Sequence, residues 1–330
     1  MPGWREIGEE INETAKTEGD KAYDITRRKY LRMVSQETGR HTILYATNWT
    51  APGFPEPGLL MISDEDMQGM MEMLCTLKVN DKLDLILHSP GGSAEATEAV
   101  VKYLRSKFSD IRVIIPHAAM SAATMLACSA NRIVMGNHSF IGPIDPQIVL
   151  DTPLGRKMVP AQAILDQFSL AQNECADSKK LASWLPMLQL YGPALLVECK
   201  EALALSKILV SRWLSQYMFA GEIDAIEKAS KAADRLADHK EHMSHGRHID
   251  KNEARNIGLV VDDLETNQKT QDLILSVFHA TMHTFNKKPT IKIVESDSGR
   301  AFIKTFQVIA LPGPTAPPPQ KPSQQPPKDR

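Results

Sequence analysis

The feature that most constrains the fold is an alternation of apolar and helical segments between residues 83 and 136. LDLILH (Leu83 to His88), IRVIIPH (Ile111 to His117) and RIVMG (Arg132 to Gly136) have the apolar, β-branched character of buried strands. The stretches between them, Ala94 to Lys107 and Met120 to Ala130, have helical patterns. Because strands alternating with helices at this spacing favour parallel crossover connections, we expect an α/β fold.

The rest of the chain divides into regions by composition. Residues 1–40 are rich in Glu, Lys and Arg and predict a charged helical N-terminal arm. Residues 41–265 are expected to form the core, with a helical insertion at about 160–240. Within the insertion, Pro186 and Gly192-Pro193 break the stretch from Pro160 to Met218 into three helices, and Glu222 to His239 predict another helix. Residues 266–310 predict a helix followed by a hairpin, and residues 311–330, with eight prolines, predict a disordered or polyproline tail.

Composition excludes several classes of protein. With 330 residues, 42% of them hydrophobic, the chain has the usage of a folded globular protein. Its formal net charge of −2 gives no global positive field for nucleic acid or an anionic membrane. The four cysteines lack CxxC spacing, which indicates a reducing compartment. Because the N-terminus is charged and no run of 18 apolar residues occurs, we expect a soluble, cytoplasmic protein without a membrane span.

Two short motifs carry the chemistry. The first strand runs into Ser89-Pro90-Gly91-Gly92-Ser93, and two adjacent glycines allow a sharp turn that exposes backbone N–H groups suited to an oxyanion. Its other interpretation is an ordinary strand-to-helix turn. Ser121 follows a strand and opens a helix of small residues, so it is either a helix cap or a hydroxyl that projects into a cleft beside the N–H of Ala122.

Together the motifs SPGGSAEATE, HAAMSAATMLACSA and IGPIDPQ resemble the ClpP/crotonase superfamily, in particular the serine dehydrogenase proteinase (SDH proteinase) family, related to SppA and NfeD-type serine proteases. The resemblance covers residues 43–147 and, more faintly, GRHIDKNEARNIGLV at residues 246–260. It implies a ClpP/crotonase-like repeated ββα superhelix with added N-terminal and C-terminal helices. It also implies Ser121 as nucleophile and an oxyanion hole formed by Gly91 or Gly92 with Ala122.

The general base is the part that the resemblance does not supply. The window in which the Clp peptidases carry a histidine reads Pro143 to Gln147 here, and the slot of the NfeD-type lysine holds Gln162, which cannot accept a proton. The alternatives are Lys157, His138 and Asp145. Lys157 is the first choice because a buried lysine with a lowered pKa can activate a serine; its other interpretation is a solvated loop lysine.

A histidine repeat invites a metal hypothesis that the sequence argues against. His239, His242, His245 and His248 recur every third residue, which suggests imidazoles facing one way. Gly246 and the predicted cap at Asp250 interrupt the helix, so we expect no metal and no cofactor.

The leading hypothesis is therefore a ClpP-like serine peptidase that hydrolyses peptide bonds through an acyl-enzyme on Ser121. Peptide or protein substrates and a homo-oligomer are implied, and the proline-rich tail is a possible site for a partner. The alternatives are a catalytically inactive peptide-binding scaffold and a crotonase-like acyl-CoA enzyme of the same fold.

Overall fold

The structure is a computed structural model that describes residues 3–52, 56–75, 77, 81–152 and 155–306. Its α-helices are α1 (Trp4–Glu18), α2 (Ala22–Thr38), α3 (Asp66–Leu74), α4 (Ala94–Lys107), α5 (Ala122–Cys128), α6 (Ala161–Glu174), α7 (Ser178–Leu188), α8 (Leu195–Trp213), α9 (Ala225–Ala237), α10 (His239–His242), α11 (Lys251–Ile257) and α12 (Gln268–Lys287). Its strands are β1 (His41–Thr47), β2 (Asp81–His88), β3 (Phe108–Ile115), β4 (Ala118–Ala119), β5 (Arg132–Met135), β6 (Phe140–Ile141), β7 (Gln147–Thr152), β8 (Gly155–Pro160), β9 (Val261–Asp263), β10 (Thr290–Ser296) and β11 (Ala301–Thr305).

The centre of the fold is a mixed sheet of seven strands in the order β11-β10-β1-β2-β3-β5-β9. The five strands from β1 to β9 are parallel, as the alternation of strands and helices predicts. β10 runs antiparallel to β1, and the predicted terminal hairpin is confirmed because β11 pairs antiparallel with β10. The expected α/β class is confirmed.

Helices cover both faces of this sheet. Along β1 the side chains alternate, so that Ile43 and Tyr45 join the larger core while Leu44 and Ala46 join a second core on the opposite face. The larger core receives α3, α4, α5, α9 and the end of α8, and the second core receives α1, α2 and α12. A strand buried on both faces reads as a continuous apolar run, which is why LDLILH is visible in the sequence.

Buried ion pairs fasten β10 to the rest of the molecule. Arg27 of α2 is fully buried and pairs with Glu295, which also accepts Arg28 Nε at 2.6 Å. Lys292 Nζ lies 2.6 Å from Asp66 Oδ1, and Tyr45 donates its hydroxyl to the same carboxylate at 2.9 Å. Each buried charge thus has a partner, which offsets much of the cost of taking it out of water.

The insertion differs in detail from the prediction. Residues 161–213 form three helices, but Pro186 lies inside α7, near its end, and the breaks fall at residues 175–177 and 189–194. The preceding stretch, interpreted as a loop, is the antiparallel hairpin β7–β8. The domain boundaries stay a prediction, and the proline-rich tail lies outside the described residues.

None of the helices in the described ranges combines the length and the apolar composition that crossing a bilayer requires.

Candidate active site

The glycine turn after β2 is held in place by close backbone contacts. Gly91 has φ +96°, and a Cβ there would lie 2.5 Å from the carbonyl oxygen of Met120 and 2.7 Å from the nitrogen of Ala122. A Cβ on Gly92 would collide with the carbonyl oxygen of Ile62. Only glycine fits at either position, and the tight approach sets the turn directly beside Ser121.

The N–H groups of the turn are not equivalent. Gly91 donates its N–H to Ser89 Oγ at 3.2 Å. The N–H groups of Gly92 and Ala122 have no acceptor anywhere in the described part of the chain. The sequence left open whether Gly91 or Gly92 has an N–H group free to bind an oxyanion. In the described residues Gly92 has such a group, and Ala122 has a second one.

Ser121 has the backbone of a strained turn residue. Ser121 lies between β4 and α5. Its φ of 51° and ψ of −121° are unusual for a residue other than glycine. The hydroxyl does not cap the helix, so the interpretation of Ser121 as an ordinary N-cap is wrong. Backbone hydrogen bonds between this turn and the preceding strand end, Ser89 N to Ala118 O and Met120 N to Ser89 O, fix the serine at the turn.

Asp145 is a buried carboxylate held by two imidazoles. Its side chain is 1% exposed, and His245 Nδ1 lies 2.8 Å from Oδ1 while His239 Nδ1 lies 3.2 Å from Oδ2. Gln147 Nε2 adds a third hydrogen bond at 3.2 Å. A histidine that uses Nδ1 towards a carboxylate leaves Nε2 available for proton transfer.

Ser121 and His245 line the same cleft, which has a volume of about 340 Å³. Gly92 and Ala122 also line it. The remaining walls are mostly apolar. They come from α4, α5, the hairpin β7–β8, α8 and the connecting loops: Met61, Pro90, Ser93, Ala94, Glu95, Met125, Ile144, Pro146, Gln147, Ile148, Val149, Met158, Ala202, Leu205 and Ser206. The cleft therefore combines a serine hydroxyl, a histidine and two N–H donors without an acceptor among the described residues.

The other candidate bases lie elsewhere. Lys157 is exposed on β8, and because its neighbour Met158 lines the cleft, strand alternation turns Lys157 to the opposite face of the hairpin. Its pairing within β8 also corrects the interpretation as a loop lysine. His138 is exposed in the loop after β5 and is not among the residues that line the cleft. The structure brings neither residue to Ser121.

Sequence reasoning missed His245 as a candidate base. The histidine repeat was its only signal, and the four imidazoles do not converge. His242 donates its Nε2–H to Arg235 O at 2.8 Å, and His248 stacks on Phe140. Within the described residues no group of histidine, cysteine and carboxylate side chains forms a candidate metal site. Asp145, predicted as an alternative base, instead contacts the histidine that shares the serine's cleft.

A mixed α/β fold in which a glycine turn offers N–H donors to a strained serine is of the ClpP/crotonase type. Residues 19–182 match the family model described as "ClpP-like SDH-type serine proteinase". The chain belongs to this family, as its motifs indicate.

The similar proteins cover parts of their own chains. This chain is 32% identical over 129 residues to uncharacterized protein MJ0137 of Methanocaldococcus jannaschii, covering 39% of this chain and 45% of that protein. It is 30% identical over 148 residues to uncharacterized protein MJ1495 of the same organism, covering 44% and 48%. The chain thus spans about half the length of the curated relatives it matches. Among solved structures, a mutant of the 1510-N membrane-bound stomatin-specific protease is 16% identical with a TM-score of 0.34, covering 61% of this chain and 75% of that one.

Proposed function

We propose that the chain is a serine peptidase that hydrolyses peptide bonds through an acyl-enzyme on Ser121. The observation that carries the proposal is the cleft shared by Ser121 and His245, in which His245 Nδ1 lies 2.8 Å from the buried Asp145. Membership of the SDH-type serine proteinase family supports it. The chain order of the three residues, Ser121, Asp145 and His245, is one of several in which the same constellation serves serine hydrolases.

Each residue has a defined role in this mechanism. Nε2 of His245 accepts the proton from Ser121 Oγ as the oxygen attacks the peptide carbonyl carbon. Asp145 holds Nδ1–H and stabilises the imidazolium that forms. The same proton passes to the leaving amine when the C–N bond breaks, which leaves an ester on Ser121. His245 then takes a proton from water, whose oxygen attacks the ester carbon. His245 returns that proton to Ser121 Oγ as the acyl C–O bond breaks, which releases the carboxylic acid and restores the serine.

The oxyanion of each tetrahedral intermediate is assigned to the N–H groups of Gly92 and Ala122. Both lie in the walls of the cleft, and neither has an acceptor among the residues described. Donors that are preorganised for the developing charge are worth about 10²–10³ in rate each. Gly91 is excluded from this role because its N–H already donates to Ser89.

The substrate that fits the cleft is an extended polypeptide with an apolar side chain near the scissile bond. Met125, Ile144 and Leu205 provide the apolar wall, and the edge of the hairpin β7–β8 borders the opening. An extended chain would hydrogen-bond along such an edge by β-augmentation. Homo-oligomerisation and the predicted division into an arm, a core with its insertion and a C-terminal unit belong to the same proposal.

The test is covalent labelling with a fluorophosphonate, read as intact mass, together with peptide turnover. We expect the wild type to gain one adduct, Ser121→Ala to gain none, and His245→Gln and Asp145→Asn to label at least about 10³-fold more slowly. His248→Gln is the matched control, because it removes an exposed histidine of the same segment that stacks on Phe140 outside the cleft. Absence of labelling in a folded wild type would contradict the peptidase and favour the peptide-binding scaffold or the acyl-CoA enzyme.

A further inference from the structure

The carboxylate of Asp145 has one more imidazole than a serine peptidase mechanism uses. Its Oδ1 contacts His245, while its Oδ2 contacts His239 Nδ1 at 3.2 Å. Both histidines are largely shielded, with side chains 25% and 19% exposed. His239 is not among the residues that line the cleft of Ser121, so it has no contact with a substrate there.

His239 and His245 lie at the two ends of one short segment, and both contact Asp145. His239 begins α10, where Asp238 caps the helix by accepting the N–H groups of Lys240 and Glu241. His245 follows the end of that helix. The segment therefore closes around the carboxylate and holds one oxygen with each histidine.

We propose that His239 is a positioning residue: its Nδ1–H holds Oδ2 of Asp145 so that Oδ1 stays directed at His245. This inference rests on the proposed function, because it assigns His239 a part in the reaction of Ser121. Gln147 Nε2 also donates to Oδ2 at 3.2 Å, so His239 is one of two donors on that oxygen. Donors on both oxygens limit the rotation of a carboxylate before the substrate arrives.

The second donor also moderates the charge that His245 meets. A hydrogen bond to Oδ2 draws electron density from Asp145 and so weakens its hold on the imidazolium form of His245. If His239 takes up a proton, its positive charge opposes a second positive charge on His245 across the same carboxylate. Both effects act in one direction: they weaken the attraction between Asp145 and a protonated His245.

Other charged groups near the two histidines are present in every His239 variant compared below. On the His245 side, Glu95 of α4 lines the cleft. The groups that line the separate cleft beside His239 come from α8, α9 and the α10 segment: Lys207, Asp234, Arg235, Asp238 and Lys240.

The experiment compares His239→Leu, which removes the donor, with His239→Asn, whose side-chain Nδ2–H can take the place of Nδ1–H. Peptide turnover by the full chain is measured from pH 5 to 9. We expect His239→Leu to lower kcat/KM by about tenfold at pH 8, mainly through kcat, and to move the midpoint of the acid limb to higher pH. His239→Asn is expected to keep kcat/KM within about threefold of wild type. Lys240→Ala, on the same helix and exposed, is the matched control.

Wild-type kcat and an unchanged acid limb in His239→Leu would overturn the inference, as would equal losses in the Leu and Asn variants with native stability. If His239→Leu does not fold, His239→Gln replaces it, because its amide is one bond too long to reach Oδ2 in the same geometry.

The readout that does not need turnover is NMR of the histidine rings in Ser121→Ala protein. There the pH at which the His245 signals are half shifted should rise when His239 becomes Leu. If the wild type is inactive but the NMR shift occurs, the peptidase proposal is contradicted and the role of the His239 contact is supported. If the wild type is active but the NMR shift is absent, the peptidase proposal is supported and the role of His239 is contradicted.

Discussion

His88 gives the fold a defined sensitivity to acid. It ends β2, directly before the glycine turn, and its side chain is fully buried against Trp49, His117 and Phe278, with ring centroids 5.6, 5.4 and 5.2 Å away. Burial, with a smaller contribution from the imidazole of His117, lowers the pKa of His88 from 6.5 to about 3. Between about pH 3 and pH 6.5 the folded protein therefore keeps His88 neutral, whereas an unfolded histidine takes up a proton.

The sign and size of the effect follow from proton linkage. Below pH 6.5 the unfolded chain binds a proton at His88 and the folded chain does not, so each step down in pH favours unfolding until the folded pKa of about 3 is reached. Between pH 7.5 and pH 5.0 this single group removes about 2 kcal/mol from the free energy of unfolding. The figure depends mainly on the unfolded pKa, because the folded pKa lies well below the range measured.

The assay is urea denaturation of the wild type and His88→Phe at pH 7.5 and 5.0. Phe keeps a flat ring among the aromatic neighbours but cannot titrate, so its loss of stability between the two pH values should be smaller than that of the wild type by about 2 kcal/mol. His138→Asn, which removes an exposed histidine, should lose as much as the wild type. Equal losses in the wild type and His88→Phe would refute the reasoning, because they would mean that His88 titrates alike in the folded and unfolded chains.

Three further predictions concern the turn, the core and the hairpin. Gly91→Ala should slow fluorophosphonate labelling by about 100-fold, because its Cβ would lie 2.5 Å from a backbone oxygen; Gly155→Ala has a similar φ but nothing within 4 Å and should label normally. Lys292→Met leaves its carboxylate partner buried and unpaired, so urea denaturation should show a loss of about 3–5 kcal/mol, against about 0–1 kcal/mol for Lys304→Met at a more exposed pair. Lys157→Gln should retain turnover within about twofold of wild type, since Lys157 lies on the far face of its hairpin; a 100-fold loss would restore it as a base.

The parts of the fold that the sequence predicted well are those whose signals are local. β2 and α4 occur where an apolar run and a helical pattern place them, and Ser93 marks the start of α4 by accepting the N–H of Ala96. Gly258 ends α11 with φ +115°, as a C-terminal glycine does. In each case a residue's own conformational preference and its spacing from the next apolar position carry the information.

The hairpin β7–β8 gave no comparable signal. Its residues are half-buried or exposed along both strands, so neither strand has the clean alternation of a sheet with one buried face. Its position is set by contacts made far along the chain, since Ile148, Leu150 and Val159 pack against Ala161, Ile164 and the start of α8. Sequence spacing cannot report a strand whose partners are supplied by the insertion that follows it.

The position of His245 could not be predicted from the sequence either, and backbone hydrogen bonds explain how the fold brings it to the cleft. Ile141 and Ile249 exchange two hydrogen bonds, of 3.0 Å from Ile141 N and 2.9 Å from Ile249 N, and Ile144 N donates to Leu236 O at 2.9 Å. These bonds bracket the contact between Asp145 and His245, two residues that lie far apart in the sequence. Because the bonds join backbone atoms, they depend on which segments pair rather than on particular side chains, and no motif around Ser121 encodes them. The alignment of His245 with the cleft therefore depends on the segment from α9 to α11 staying paired with residues 141–145. Local opening of that segment would separate His245 from Ser121 while the central sheet remains folded.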